Sequence, residues 1–181
     1  MTLYINCCVR EDSRTDRLAK AVLKKLGGEY TELNLYAQPP KPLDRERLNR
    51  RTALIERGDY SDEMFDCAKQ FAAADIIVIA APYWDLSFPA PLKAYIENIY
   101  VTGLVSAYGA DGMPVGLCRA KYLYYVTTAG GPYEPLYSYG YLERLAKRFF
   151  GIENTRLVKA EMLDVTGNDA QAILDRAIRS I

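Results

Sequence analysis

Residues 75–81 read DIIVIAA, an apolar run in which polar and apolar positions do not alternate. A strand that is apolar on both faces is typical of a parallel sheet, because helices cover both sides of such a sheet. We therefore interpret residues 75–81 as a buried central strand and expect helices before and after it.

Strand-like and helix-like segments alternate along the rest of the chain. The other predicted strands are residues 3–9, 30–35, 121–128 and 155–160. The predicted helices cover residues 14–26, 44–57, 59–74, 88–101, 135–150 and 168–181. The remaining long connections are a proline-rich loop at residues 37–43 and a turn-rich stretch at residues 104–115.

This alternation predicts an α/β fold in which crossover helices join parallel strands. Five strands in 181 residues fit the flavodoxin-like three-layer sandwich. That arrangement is a five-stranded parallel sheet of order 2-1-3-4-5 with helices on both faces. No linker or repeat divides the sequence, so we expect residues 1–181 to form a single flavodoxin-like domain.

Charge and composition exclude several classes of function. The chain has 23 basic and 23 acidic residues, which gives no electrostatic reason to expect binding to nucleic acid or to an anionic membrane. It has no histidine, which excludes Ser-His-Asp and Cys-His catalysis and every zinc site that needs imidazole. We therefore expect no metal site, and an enzyme of this composition must rely on carboxylates, tyrosines or a cofactor.

The use of cysteine indicates a cellular compartment. Cys7, Cys8, Cys67 and Cys118 follow neither a CxxC pattern nor a disulfide framework, which favours a reducing environment. The N-terminus lacks a signal-peptide profile, and no apolar run approaches the roughly 18 residues that a membrane span needs. We expect a cytoplasmic protein. Cys7 and Cys8 end the first strand, where they are either small buried residues or thiols activated by a helix terminus.

Ligands of doubly wound sheets bind beyond the carboxyl ends of the strands, where the strand order reverses. The first loop at this edge, residues 10–15, has Ser13 or Thr15 at a helix start and Arg10 or Arg14 beside it. Free backbone N–H groups, the positive helix end and a guanidinium suit one phosphate monoester. The alternative is plain helix capping, with Ser13 and Asp16 forming a capping box.

The second and third loops at this edge also have unusual sequences. Residues 82–91 contain the only tryptophan and predict either an apolar platform for an aromatic ring or a strand-to-helix turn capped by Ser87. Residues 127–133 contain paired glycines, which permit close approach of the backbone to a ligand or form a turn with positive φ. Together, the three loops predict a flat ligand that carries one phosphate.

These loops resemble those of a known family. Residues 82–94 (PYWDLSFPAPLKA) look like the segment after the third strand in flavodoxin-like NAD(P)H:quinone oxidoreductases and FMN-dependent NADH azoreductases. Residues 127–131, followed by Tyr133, are similar to the glycine loop of that family, and residues 13–15 occupy its cofactor-phosphate position. The resemblance extends over nearly the whole chain.

The resemblance implies a homodimer with one non-covalent flavin per subunit. The short first loop favours FMN over FAD, because it offers little for a second phosphate. By a ping-pong mechanism, NADH or NADPH reduces the flavin and leaves, and a quinone, an azo compound or another small aromatic electron acceptor takes its place.

The resemblance also assigns residues to the cofactor. The phosphate falls to Arg10, Ser13, Arg14 and Thr15. On one side, the ring would contact Pro82, Tyr83, Trp84, Asp85 and Leu86. On the other side, it would contact Thr128, Ala129, Gly130 and Gly131.

The sequence departs from the family at two points. Several members place a histidine near the flavin, and here Tyr133, Tyr137 or Tyr139 must supply the hydrogen-bond donor. Tyr133 is best placed by spacing and is the predicted catalytic residue. Asp85 is unusual in the flavin loop, and it should lower the flavin potential if its side chain points at the ring.

Three other functions use the same scaffold. An FMN reductase would release flavin as a product. A flavodoxin-type electron carrier would bind flavin without enzyme activity, although such carriers resemble this chain neither in their phosphate loop nor in their acidity. A flavin-free regulatory or partner-binding protein would bind no flavin at all.

Overall fold

The computed structural model describes residues 1–181 and is built around a parallel sheet. The strands are β1 (Thr2–Asn6), β2 (Tyr30–Asn34), β3 (Ile76–Ala80), β4 (Ser106–Tyr108), β5 (Pro114–Gly116), β6 (Tyr122–Thr128) and β7 (Asn154–Ala160). The helices are α1 (Arg14–Leu26), α2 (Arg45–Glu56), α3 (Asp66–Ala73), α4 (Ala90–Ile99), α5 (Tyr139–Leu145) and α6 (Ala170–Arg179). None of these helices has both the length and the apolar character needed to cross a membrane.

The main sheet has the strand order β2-β1-β3-β6-β7, and all of its neighbouring strands are parallel. Numbered within this sheet alone, the order is 2-1-3-4-5, which confirms the predicted flavodoxin-like topology. Asn6 lies opposite both Asn34 and Ala80, and Ala80 lies opposite Val126. The carboxyl ends of the central strands are therefore level, and the loops that follow them lie side by side.

Each face of the sheet has its own apolar core. On β3, Ile77 and Ile79 belong to the larger core, while Val78 and Ala80 belong to the smaller one. The larger core includes residues of α3 and α4, and the smaller one includes residues of α1 and α6. Because β3 is buried on both faces, its continuous apolar run is explained by helices on each side.

The structure corrects several predicted boundaries. The first strand ends at Asn6 rather than Val9, because the side-chain oxygen of Asn6 accepts the N–H of Cys8 at 2.9 Å and turns the chain. The helix predicted from residue 59 begins only at Glu63, with a 3₁₀ turn that leads into α3, because Asp62 caps it through the N–H of Met64 at 3.0 Å.

Three further segments differ from prediction. The stretch predicted as turn-rich contains a short antiparallel hairpin, β4–β5. The helix predicted from residue 135 begins at Tyr139 and ends in a π-helical turn at Ala146–Phe150. Pro89, not Ser87, is the N-cap of α4, because the Ser87 hydroxyl donates to the carbonyl oxygen of Tyr137 at 2.7 Å.

Candidate functional site

A cleft of about 260 Å³ opens at the carboxyl edge of the sheet. From the first three loops, the predicted site residues that line it are Arg10, Ser13, Arg14, Thr15, Pro82, Tyr83, Trp84, Thr128, Ala129 and Gly130. The same strand order that places the three loops side by side therefore brings most of the predicted cofactor residues into one cavity.

The start of α1 forms one end of the cleft. Ser13 is the N-cap, and its hydroxyl accepts the N–H of Asp16 at 3.3 Å, which confirms the capping interpretation. The box is not reciprocal, since Asp16 accepts the hydroxyl of the buried Tyr4 at 2.6 Å. The N–H groups of Arg14 and Thr15 have no acceptor in the protein. Capping by Ser13 therefore leaves two donors at the positive helix end for an anion.

A buried hydroxyl pair connects the first loop to the third. Thr15 is 1% exposed, and its Oγ1 lies 2.6 Å from Oγ1 of Thr128 at the end of β6. This bond fixes the start of α1 against the strand that leads into the glycine loop.

We expect Thr15→Val to lower the free energy of unfolding by about 1–2 kcal/mol, because it leaves the Thr128 hydroxyl without its partner. Urea titration of the wild type, both single variants (Thr15→Val and Thr128→Val) and the Thr15→Val/Thr128→Val double variant measures the effect. The double variant should lose less stability than the two single losses combined, since both polar groups are then removed together. Strictly additive losses would show that the hydroxyls do not interact.

The second loop forms a tight two-residue turn. Trp84 and Ser87 exchange both backbone hydrogen bonds, at 3.2 Å and 2.7 Å, while Asp85 and Leu86 have φ values of 49° and 65°. Both central residues in the left-handed region define a type I′ turn, a conformation that leucine rarely adopts. The hydrogen bond from the Ser87 hydroxyl to the carbonyl oxygen of Tyr137 stabilises this turn. Trp84 and Leu86 remain 42% and 57% exposed at the turn, so an apolar platform stands beside the cleft.

Four predicted site residues do not line the cleft. Asp85 is exposed at the tip of the turn beside Leu86, so the structure does not show the carboxylate directed into the cleft. Gly131 adjoins the lining, and its N–H, like that of Gly130, has no acceptor in the protein.

Tyr133, the predicted catalytic residue, lies behind Tyr83. It is 9% exposed, its ring centroid is 4.8 Å from that of Tyr83, and its hydroxyl is 2.8 Å from Oγ of Ser138. Burial raises the pKa of Tyr133. Its N–H donates to Glu161 at 2.8 Å, which holds this part of the chain away from the cleft. The structure thus shows the Tyr133 hydroxyl engaged with Ser138 rather than directed at a ligand.

The loop that follows β7 forms a fourth wall of the cleft, and no sequence motif predicted it. Leu163 and Asp164 line the cleft, as do Val9, which directly precedes the first loop, and Asp12 within that loop. Because β7 pairs with β6, the loop after β7 must adjoin the glycine loop. The strand order predicted from the sequence already contained this signal.

The cysteines at the end of β1 are buried. Cys7 is 0% and Cys8 is 7% exposed, and burial raises the pKa of Cys7 to about 12 and that of Cys8 to about 11. The thiolate is the reactive form, so these values favour the interpretation as small buried residues over that of activated thiols.

We expect iodoacetamide to leave Cys7 and Cys8 unmodified in the native protein and to alkylate both in denaturant, because only unfolding exposes and deprotonates them. Peptide mapping by mass spectrometry after timed labelling measures each site separately. Rapid native alkylation of either residue, with loss of ligand binding, would instead support an activated thiol.

The fold and the cleft together define a class. The sheet is doubly wound, and its cleft lies where the strand order reverses. The cleft contains free helix N–H donors and an aromatic turn. These features are those of a flavodoxin-like α/β protein. The chain belongs to the family described as having the flavodoxin-like fold, whose model matches residues 1–181.

The curated relatives that the chain resembles are named for the same activity. The chain is 35% identical to FMN-dependent NADH:quinone oxidoreductase 2 of Clostridium acetobutylicum, over 97% of this chain and 93% of that protein. It is 32% identical to an FMN-dependent NADH:quinone oxidoreductase of Clostridium perfringens, again over 97% and 93% of the two chains.

Solved structures share the fold over the whole chain. An FMN-dependent NADH-azoreductase of Bacillus anthracis, in complex with FMN, has a TM-score of 0.79 at 25% identity and covers 99% of this chain and 94% of its own. An NAD(P)H:quinone oxidoreductase of Methanothermobacter marburgensis has a TM-score of 0.74 at 21% identity, with 99% and 97% covered.

Proposed function

We propose that this protein is an FMN-dependent NADH oxidoreductase that reduces a quinone, an azo compound or a similar small aromatic acceptor. The observation that carries the proposal is the single cleft that places free N–H groups of Arg14 and Thr15 beside Trp84 and the glycine loop. The names of the curated relatives support FMN as the cofactor and NADH as the donor.

The residues present fit FMN. One phosphate suits the start of α1, where Arg10, Ser13, Arg14 and Thr15 would hold it. The ring suits the turn after β3, from Pro82 and Tyr83 through Trp84 to Asp85 and Leu86, and Thr128, Ala129, Gly130 and Gly131 would meet its other side. FAD fits less well, because the cleft offers one helix terminus and no second phosphate site.

The protein supplies position and electrostatics for the reaction. Bound FMN would supply the hydride chemistry between NADH and the acceptor, and in a ping-pong cycle the acceptor would occupy the place that the nicotinamide has left. Trp84 and Leu86 present apolar surface that excludes water from the ring, and the free N–H groups of Gly130 and Gly131 can orient polar groups at its edge. Tyr133 supports this site from behind through its contact with Tyr83 and is in our proposal a positioning residue.

We further propose a homodimer. An apolar groove of about 700 Å³ lies next to the aromatic turn, and its lining includes Phe88 and Tyr141 together with Leu136 and Tyr137, which are 60% and 58% exposed. A monomer rarely leaves such a patch uncovered, so a second copy of the chain would bury it. Sedimentation equilibrium tests the dimer.

The four free cysteines support a cytoplasmic location, where thiols stay reduced.

The test of function is an anaerobic spectroscopic titration. We expect protein that is loaded with FMN and desalted to keep its flavin absorbance, to bleach with NADH and to recover its colour when 1,4-benzoquinone is added. Retained flavin that NADH does not reduce would favour the electron carrier. Reducible flavin that is lost on desalting would favour the FMN reductase, and protein that binds no flavin would refute the proposal.

A further inference from the structure

An ion pair joins two walls of the cleft. Arg14 begins α1 on one side, and Asp164 lies in the loop after β7 on the other. A guanidinium nitrogen of Arg14 lies 2.7 Å from Oδ1 of Asp164, and Arg14 makes no other ion pair. The cationic side chain that the phosphate site offers at the helix start is therefore already paired with a carboxylate.

The backbone fixes the place of Asp164. Its N–H donates to the carbonyl oxygen of Gly130 at 2.9 Å, and the N–H of Leu163 donates to that of Ala129 at 3.2 Å. The N–H of Met162 donates to the carbonyl oxygen of Gly131 at 3.1 Å. These three bonds attach the loop after β7 to the glycine loop, so the carboxylate belongs to the built wall of the cleft.

The side chain of Asp164 occupies space that is free only because Gly130 has no side chain. A Cβ atom at Gly130 would overlap Oδ2 of Asp164 and approach its Cβ to 3.2 Å. Gly130 has no positive φ, so its backbone does not require glycine. The room at this position is instead occupied by the Asp164 carboxylate, which lies between the start of α1 and the glycine loop.

The charges in the cleft balance. Its charged lining residues are the cations Arg10 and Arg14 and the anions Asp12 and Asp164. A phosphate that enters such a cleft meets no net positive charge. It must also compete with a carboxylate for the Arg14 guanidinium. The pair is open to water, with Arg14 42% and Asp164 68% exposed, and an exposed ion pair is weak enough to be displaced by a ligand.

We propose that Asp164 is the internal counter-ion of Arg14 and competes with the flavin phosphate for its guanidinium, so that Asp164 sets how tightly the protein retains FMN. This inference rests on the proposed flavin function. Compared with an unpaired guanidinium, the paired one binds the phosphate less tightly, so Asp164 lowers the affinity of a cofactor that the protein still retains.

The test compares FMN with riboflavin, which has the same ring and ribityl chain without the phosphate. We expect Asp164→Asn to tighten FMN binding by about three- to tenfold at low salt, because the substitution removes both the competitor and a like charge. Riboflavin affinity should stay within about twofold. Quenching of flavin fluorescence on titration of the flavin-free protein measures both constants.

Two controls isolate the ion pair. Asp12→Asn removes the same charge from the same cleft, but Asp12 has no ion-pair partner, so it should tighten FMN by less than about twofold. In an Arg14→Gln background, Asp164→Asn should give no comparable gain.

Weaker FMN binding in Asp164→Asn, equal gains in both asparagine variants, or an equal gain for riboflavin would each overturn the inference while the flavin function stands. Wild-type protein that binds neither flavin would overturn the proposed function, and the inference would fall with it.

Discussion

Gly116→Ala is expected to lower the free energy of unfolding by about 2–3 kcal/mol, the largest effect on stability that we predict for a single methyl group. A Cβ atom at Gly116, the last residue of β5, would overlap backbone atoms of both Phe150 and Gly151. A backbone segment cannot rotate away as a side chain can. The β4–β5 hairpin and the π-helical turn that follows α5 must therefore move apart. Thermal and urea unfolding measure the loss.

The matched control is Val115→Ala in the same strand. Val115 is 49% exposed, so its truncation should change stability by less than about 0.5 kcal/mol. A Gly116→Ala variant as stable as Val115→Ala would show that β5 does not pack against Phe150 and Gly151 as the structure has it.

Trp84→Ala is expected to weaken FMN binding by about 10- to 100-fold, the largest effect on the site. Stacking of an aromatic side chain on a flat base contributes about 1–3 kcal/mol, and each 1.4 kcal/mol is about tenfold in affinity. The bonds that close the turn are made by the Trp84 backbone, and the side chain is 42% exposed, so stability should change little. Fluorescence titration measures the affinity.

Trp84→Phe is the control for this prediction. It keeps an aromatic ring on the same backbone and should retain most of the affinity for FMN. Unchanged binding in Trp84→Ala would mean that the ring of Trp84 is not part of the flavin platform, even though it lines the cleft.

The sequence was sufficient for the sheet, because its signals are local. The apolar run at residues 75–81 contains β3, and a helical period with a glycine end identifies α1. The β4–β5 hairpin was missed because each strand has three residues, too few to show a period. Its stability depends on packing against Phe150 and Gly151, which are distant in sequence.

The candidate site was partly predictable for a related reason. Loops that directly follow central strands could be placed by topology, and their residues line the cleft. The positions of Asp164 and Tyr133 depend on contacts between loops. Asp164 reaches Arg14 because β7 lies beside β6, and Tyr133 turns away because Glu161 accepts its N–H. The predicted strand order places the loop after β7 beside the glycine loop, but spacing along the chain does not show which side chains of the two loops meet.

We expect one cleft to hold the whole flavin, with the phosphate at the start of α1 and the ring at the turn after β3. A crystal structure of the protein loaded with FMN measures this directly. We expect phosphate density within hydrogen-bond distance of the N–H groups of Arg14 and Thr15, and ring density against Trp84 and the glycine loop. Flavin density elsewhere on the protein, or with the phosphate away from α1, would contradict it.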